Sequence, residues 1–210
     1  MKLQKHDKKT IWYLVGGFFL IWLLRVLLLP SPVADSLAGD IIGTTIRIIL
    51  FLGPAVIVSR YFYHESFVEA FALHKPKKTG VYLAVAYTIL LIADALVTRH
   101  FVLTNNIWIL ANIPFAPIIE ELVFRGFLLT KLEKQMDGMQ AIVVSSIIFT
   151  ILHFPGWIIL SHMSAIVLVM NSAQVFIFGF IIGFIKKQSK SVYPGMIVHI
   201  INNILTFGAV

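Results

Sequence analysis

The chain has 210 residues, of which 59% are apolar and 13% charged, with a formal net charge of +7 and a mean hydropathy of +0.90. Soluble domains are ~45–50% apolar and ~25% charged; a soluble globule of this size lacks the interior for so much Leu, Ile, Val and Phe, and the solvent must be lipid. Disorder, a nucleic-acid module and a disulfide scaffold are excluded together, because seventeen Phe require burial and there is no Cys.

A membrane span needs ~20 mostly apolar residues, and seven stretches approach that: Ile11–Leu29, Ile41–Tyr63, Gly80–Thr98, Trp108–Lys131, Ala141–Leu160, Ala165–Ile185 and Val192–Val210. Punctuation separates them: Pro30-Ser31-Pro32, His74-Lys75-Pro76-Lys77-Lys78, Asp137-Gly138, Pro155-Gly156 and Tyr193-Pro194-Gly195. The pattern predicts an all-α, polytopic membrane helix bundle of about seven transmembrane helices. Residues 1–104 hold spans one to three and residues 105–210 the rest, within one integrated membrane domain. Ser36-Leu37-Ala38 resembles a signal-peptidase site, but the apolar run before it exceeds a ~7–15-residue signal core, so the first span is expected to be retained. Glu65–Leu73 alternates acids with Phe67, Val68, Phe71 and Leu73 at helical spacing, which predicts an interfacial helix.

Thirteen basic residues fall in the loops of one side: Lys2, Lys5, Lys8 and Lys9, then Arg60, Lys75, Lys77 and Lys78, then Lys131 and Lys134, then Lys186, Lys187 and Lys190. The other side offers only Arg99. The positive-inside rule then puts the N-terminus in the cytoplasm, and the short loops suggest a multi-pass protein of the bacterial plasma membrane. The basic residues read as topology signals and contacts for membrane lipid, not as a nucleic-acid footprint. Oligomeric state leaves no mark in the sequence.

A charge at the bilayer centre costs at least ~2.5–3.5 kcal/mol and needs a partner or a task. Arg25, Arg47 and Asp94 fall in the outer third of their spans, where Arg can snorkel and Asp94 can pair with Arg47. Span four is different, carrying Glu120-Glu121-Leu122-Val123-Phe124-Arg125. Glu121 and Arg125, at i and i+4, share a face in the favourable order. Glu120 lies ~100° around the helix with no intrahelical cation, which suits a general base. Span five carries Phe149 and His153 one turn apart, and span seven His199 and Asn203. At ~1.5 Å per residue, Glu120 lies ~16 Å deep, His153 ~18 Å, His199 ~10 Å and Asn203 ~16 Å, so all four can meet. The remaining histidines sit at ends or in loops.

These three strings, E-E-x-x-x-R, F-x-x-x-H and H-x-x-x-N, resemble in sequence and order the CPBP (CAAX protease and bacteriocin-processing, or Abi) family of intramembrane endopeptidases. The resemblance covers roughly residues 105–210, includes the Phe124-Arg125-Gly126 run, and leaves spans one to three without a signature. It implies hydrolysis of a peptide bond by a water that Glu120, helped by His153, activates, with His199 and Asn203 stabilising the oxyanion. Glu121, Arg125 and Phe149 would support that site, and Glu121 with Arg125 would aim Glu120. Bacteriocin or peptide maturation, self-immunity and CAAX-type processing of a peptide or protein substrate all fit. No cofactor is expected. The rival chemistry is a zinc ion held by Glu120, His153 and His199, although no H-E-x-x-H string exists: His64-Glu65 is followed by Val68, not His, at the required place. A non-catalytic scaffold or bacteriocin-immunity protein is the alternative from another class.

Overall fold

The computed structural model describes residues 5–28, 45–46, 48–98 and 113–207. Among these residues the backbone is helical with no strand. Helix α1 spans Lys5–Leu28. A π-helical turn, Ile48–Leu52, runs into α2, Gly53–Tyr61, with Pro54 in its first turn, where a missing N–H costs nothing. A single turn, α3 (Phe67–Ala70), precedes α4 (Lys78–Thr98). Helix α5 (Phe115–Glu120) continues without a break into a π-helical segment, Glu121–Leu128, and then α6, Leu129–Leu132. Helix α7 (Gly138–Ile151) is followed by a π turn at Gly156–Leu160, then α8 (Ala165–Ser189) and α9 (Tyr193–Phe207).

Four segments are long and apolar enough to cross a membrane: Lys9–Leu27, Lys78–Thr98, Gly138–Leu160 and Ala165–Ser189. Three of the seven expected spans are therefore not borne out at full length among the described residues. The described part of span two is the shorter apolar run Ile48–Tyr61. Span four carries Glu120, Glu121, Arg125 and Lys131. Span seven is a 15-residue helix, about 22 Å long at 1.5 Å per residue, against a hydrocarbon core of about 30 Å.

Helix α8 is the central post, packed against α7, α4 and α9; α4 also lies along α9, and α5 touches α9. The π segment reaches α7 and α8, and all eight of its side chains are buried. A helix buried on every face runs through the interior, so Glu121 stands inside the bundle, with Glu120 partly open just before it. Large apolar side chains stay exposed along the helices, among them Leu90, Leu96 and Val97 on α4 and Ile166, Val169 and Met170 in the first turns of α8. Lipid covers such faces in a membrane protein.

The segment expected to lie along the interface instead plugs the core. Ser66 and Glu69 form a reciprocal capping box that starts α3, and Phe67 and Val68 stay exposed, but Phe71 is fully buried between Ala70 and Ala72. Its carbonyl lies so close to Gly126 that a Cβ there would come within 2.6 Å of it. Ala72 adopts a left-handed φ of 51°, and its carbonyl accepts from Val192 N–H at 3.1 Å. The segment is thereby fastened to both the π segment and the start of α9.

Two lysines read as lipid-facing loop charges are buried in ion pairs. Lys131 is paired with Glu65 and lies over the rings of Tyr63 and Phe127; Lys186 Nζ donates to Glu133 at 2.7 Å. A long stem that reaches a carboxylate on another element can bury its charge. Asp94 is exposed on α4; Arg47, its expected partner, lies outside the described residues, as do Ser36-Leu37-Ala38, Arg99 and Val210.

Candidate active site

Glu121 is completely buried at the start of the π segment. Its Oε1 sits 2.8 Å from Nδ1 of His199 on α9 and 3.5 Å from Nη1 of Arg125. The expected Glu121–Arg125 pair therefore forms, but the shorter contact is to a residue 78 positions away. A carboxylate so placed accepts, so Nδ1 of His199 carries the proton. The other ring nitrogen, Nε2, then faces Glu120, whose Oε2 is 3.9 Å away. Glu120 is the more open carboxylate, 26% exposed against none for Glu121.

His153 stands where the helix breaks. Pro155 has no N–H to offer the Ile151 carbonyl and its ring crowds the turn before it. Just upstream, His153 N–H bonds to the Thr150 carbonyl at 3.0 Å, an i→i−3 step in place of i→i−4. The Phe149 carbonyl accepts instead from the His153 ring, at 2.8 Å from Nδ1. A carbonyl only accepts, so this ring too is protonated at Nδ1 and leaves Nε2 available. The His153, His199 and Arg125 side chains all pack on Phe149, which gathers them into one site.

Phe149 is the hub. Its ring lies 4.8 Å from that of His153 and 6.2 Å from that of His199, and the Arg125 guanidinium carbon stands 4.1 Å over its face. A desolvated cation–π contact of this kind is worth about 2 kcal/mol, part of what Arg125 loses on leaving water. Phe124 closes one side at 5.1 Å from Phe149, and Phe178 of α8 lies 4.9 Å from His199. Asn203 follows His199 by one turn of α9 and is half-buried; its side chain makes no hydrogen bond to the other described residues.

The structure thus brings together Glu120, Glu121, Arg125, Phe149, His153 and His199 through measured contacts and sets Asn203 on the same helix face. Sequence reading missed the walls. Trp157 packs against His153 at 5.2 Å, and the i+4 spacing could have shown it. Phe178 and Gly179 lie in an apolar run without local signal, yet a Cβ on Gly179 would meet Arg125 Nη2 at 2.9 Å. No three His, Asp or Glu side chains among the described residues form a group that could hold a metal. Glu120, His153 and His199 do not fit a zinc ion as arranged.

Comparison with known proteins adds a second line. No curated protein matches the chain. Residues 101–205, half of the chain, match the family described as type II CAAX prenyl endopeptidase Rce1-like, and every site residue above falls within that stretch. The chain belongs to this Rce1-like family of CAAX-type membrane proteases.

Proposed function

We propose that the protein is an intramembrane endopeptidase that hydrolyses a peptide bond with a glutamate-activated water. The observation that carries this reading is the 3.9 Å separation of Glu120 Oε2 from His199 Nε2. Two polar atoms so spaced can both reach one water at ordinary hydrogen-bond lengths of about 2.8 Å. Glu120 takes a proton from that water as its oxygen adds to the scissile carbonyl carbon. His153, anchored through Nδ1 and packed on the Phe149 ring, supports that site from the neighbouring helix.

The oxyanion then needs donors. Asn203 supplies an amide N–H from the adjacent turn of α9. His199 donates from Nε2 once Glu120 has passed it the proton taken from the water, because its other proton is committed to Glu121. Collapse of the tetrahedral intermediate sends the proton to the leaving nitrogen as the C–N bond breaks, giving a carboxylic acid and an amine. Loss of one oxyanion donor costs ~10²–10³ in rate in other enzymes.

The substrate we propose is a peptide segment presented at the bilayer, either a CAAX-type prenylated C-terminus or the precursor of a secreted peptide such as a bacteriocin. We place the N-terminus in the cytoplasm of a bacterial cell, since the lysine-rich segments Lys75–Lys78 and Lys186–Lys190 favour that side.

The test is Glu120→Gln, which preserves shape and removes the base. Purified protein in detergent is offered a quenched farnesylated CAAX peptide and an unprenylated one, with a chelator in one arm. Wild type should cleave at least one peptide with or without chelator, and Glu120→Gln should bind it without turnover while melting near the wild-type temperature. An active Glu120→Gln would refute the mechanism; loss of activity on chelation, restored by zinc, would refute its metal independence.

A further inference from the structure

We propose that Glu121 is the positioning residue of His199: it fixes the imidazole as the Nδ1–H tautomer and so presents Nε2 to the reacting water. The local spacing suggests a plainer role, an i, i+4 clamp with Arg125. Distances argue otherwise, with 2.8 Å to the histidine and 3.5 Å to the arginine. Arg125 therefore holds the carboxylate in place, and the carboxylate holds the ring.

The surroundings leave the ring one useful orientation. The Phe178 and Phe149 rings stand at 4.9 and 6.2 Å, both edge-on, so apolar walls flank the imidazole. Turning it over would set a C–H against a fully buried carboxylate and strand a polar atom, a loss of ~1–3 kcal/mol or more for a charged group. Gly195, one turn before His199, lets α9 come this close: a Cβ there would stand 2.8 Å from Ile182 and 3.8 Å from Glu121 Oε2. In free imidazole the two tautomers interchange, and here a second carboxylate, adjacent in sequence to the proposed base, selects one. Glu120 and Glu121 then divide the work, one acting on water and the other on the histidine.

The rate arm of the test rests on the proposed hydrolysis, but the tautomer arm does not. Uniformly 15N-histidine-labelled protein in micelles shows which ring nitrogen carries the proton, and a His199→Gln spectrum assigns the signal. Wild type should show a protonated Nδ1 and a bare Nε2 at neutral pH. Glu121→Met with Arg125→Met removes both charges together, so that neither is left alone; it should fold and show His199 as a mixture or as the Nε2–H form. Glu121→Gln, whose carbonyl can still accept from Nδ1, should retain the wild-type tautomer and part of the activity. In the double variant kcat should fall by about 10²–10⁴, the cost of a misplaced imidazole proton, while KM changes a few-fold. A wild-type His199 protonated at Nε2 overturns the proposal, and so does a folded double variant that keeps both tautomer and kcat. The expected tautomer in a chain that cleaves nothing would sustain the positioning while the hydrolytic reading fails.

Discussion

Gly126 tests whether the Phe71 plug is part of the architecture of the candidate site. A Cβ at this position would lie 2.6 Å from the Phe71 carbonyl oxygen and 3.0 Å from the Phe71 carbonyl carbon and Cα. All three are backbone atoms, and the backbone is held there: Phe71 is fully buried, its N–H is bonded to Phe67, and the Ala72 carbonyl is bonded to Val192. Relief must come from moving the plug away from the π segment. Overpacking of this kind costs ~1–3 kcal/mol, against a gain of ~0.5–1 kcal/mol from replacing a helical glycine. The net is a loss of about 1–2 kcal/mol, or roughly 2–8 °C in melting temperature for a chain of this length. Gly16 in α1 is the control, since nothing lies within 4 Å of the Cβ it would gain; Gly16→Ala should be neutral or slightly stabilising. Glu120 and Glu121 sit five or six residues before Gly126 on the same rod, and a displacement of 1 Å can cost ~10² in rate. Gly126→Ala should therefore lose activity out of proportion to its melting temperature. Melting curves in detergent and peptide cleavage measure both. Equal stability of the two alanine variants with full activity in each would refute the reasoning.

The Glu65 cluster should give an acid-sensitive stability. Burial raises the Glu65 carboxyl, but hydrogen bonds and charges from Lys131 and Lys134 outweigh it and hold it below its ordinary value of 4.5. Its contribution is therefore complete above that value and is lost as the pH falls through the lower folded-state value. Solvent access at this site keeps the effect small. Glu65→Gln should lower the melting temperature at neutral pH and flatten its dependence on pH in the acid range; a pH profile identical to wild type would remove the cluster from the account. Pro155→Ala supplies the missing N–H and should let the helix continue past His153. With His153 N–H returned to the Phe149 carbonyl, the ring loses its anchor, so cleavage should fall at least tenfold while the protein melts no lower than wild type. A Pro155→Ala protein with full kcat would show that the break does not place His153.

What the sequence made legible follows the range of the interactions involved. Glu121 with Arg125, Phe149 with His153, and His199 with Asn203 are one turn apart, and a helical period alone puts each pair on one face. Depth estimates then let the three helices meet, and the side chains do converge. The partner of Glu121 was not legible in the same way, because His199 is 78 residues distant and nothing local distinguishes a carboxylate that holds a cation from one that holds a ring. Lys131 and Lys186 misled for the same reason: their carboxylates lie 66 and 53 residues away, so charges counted toward topology are spent in the interior. Apolar periodicity is also blind to what covers a span. It measures lipid compatibility averaged over a window, whereas the segment Glu121–Leu128 is buried by protein. The π-helical segment had no signal either, since its cause is tertiary. Eight consecutive buried residues face α7, α8, α9 and the Phe71 plug at once, and the wider turn alters the angles that a 100° step assigns beyond Glu121. The 3.6-residue period found the residues of the candidate site, and the departures from it set their geometry: the π segment after Glu120, and the i→i−3 step that turns the Phe149 carbonyl toward His153. At both, local hydrogen bonding yields to tertiary partners, the Phe149 carbonyl turning to the His153 ring and the Glu121 carboxylate to the His199 ring.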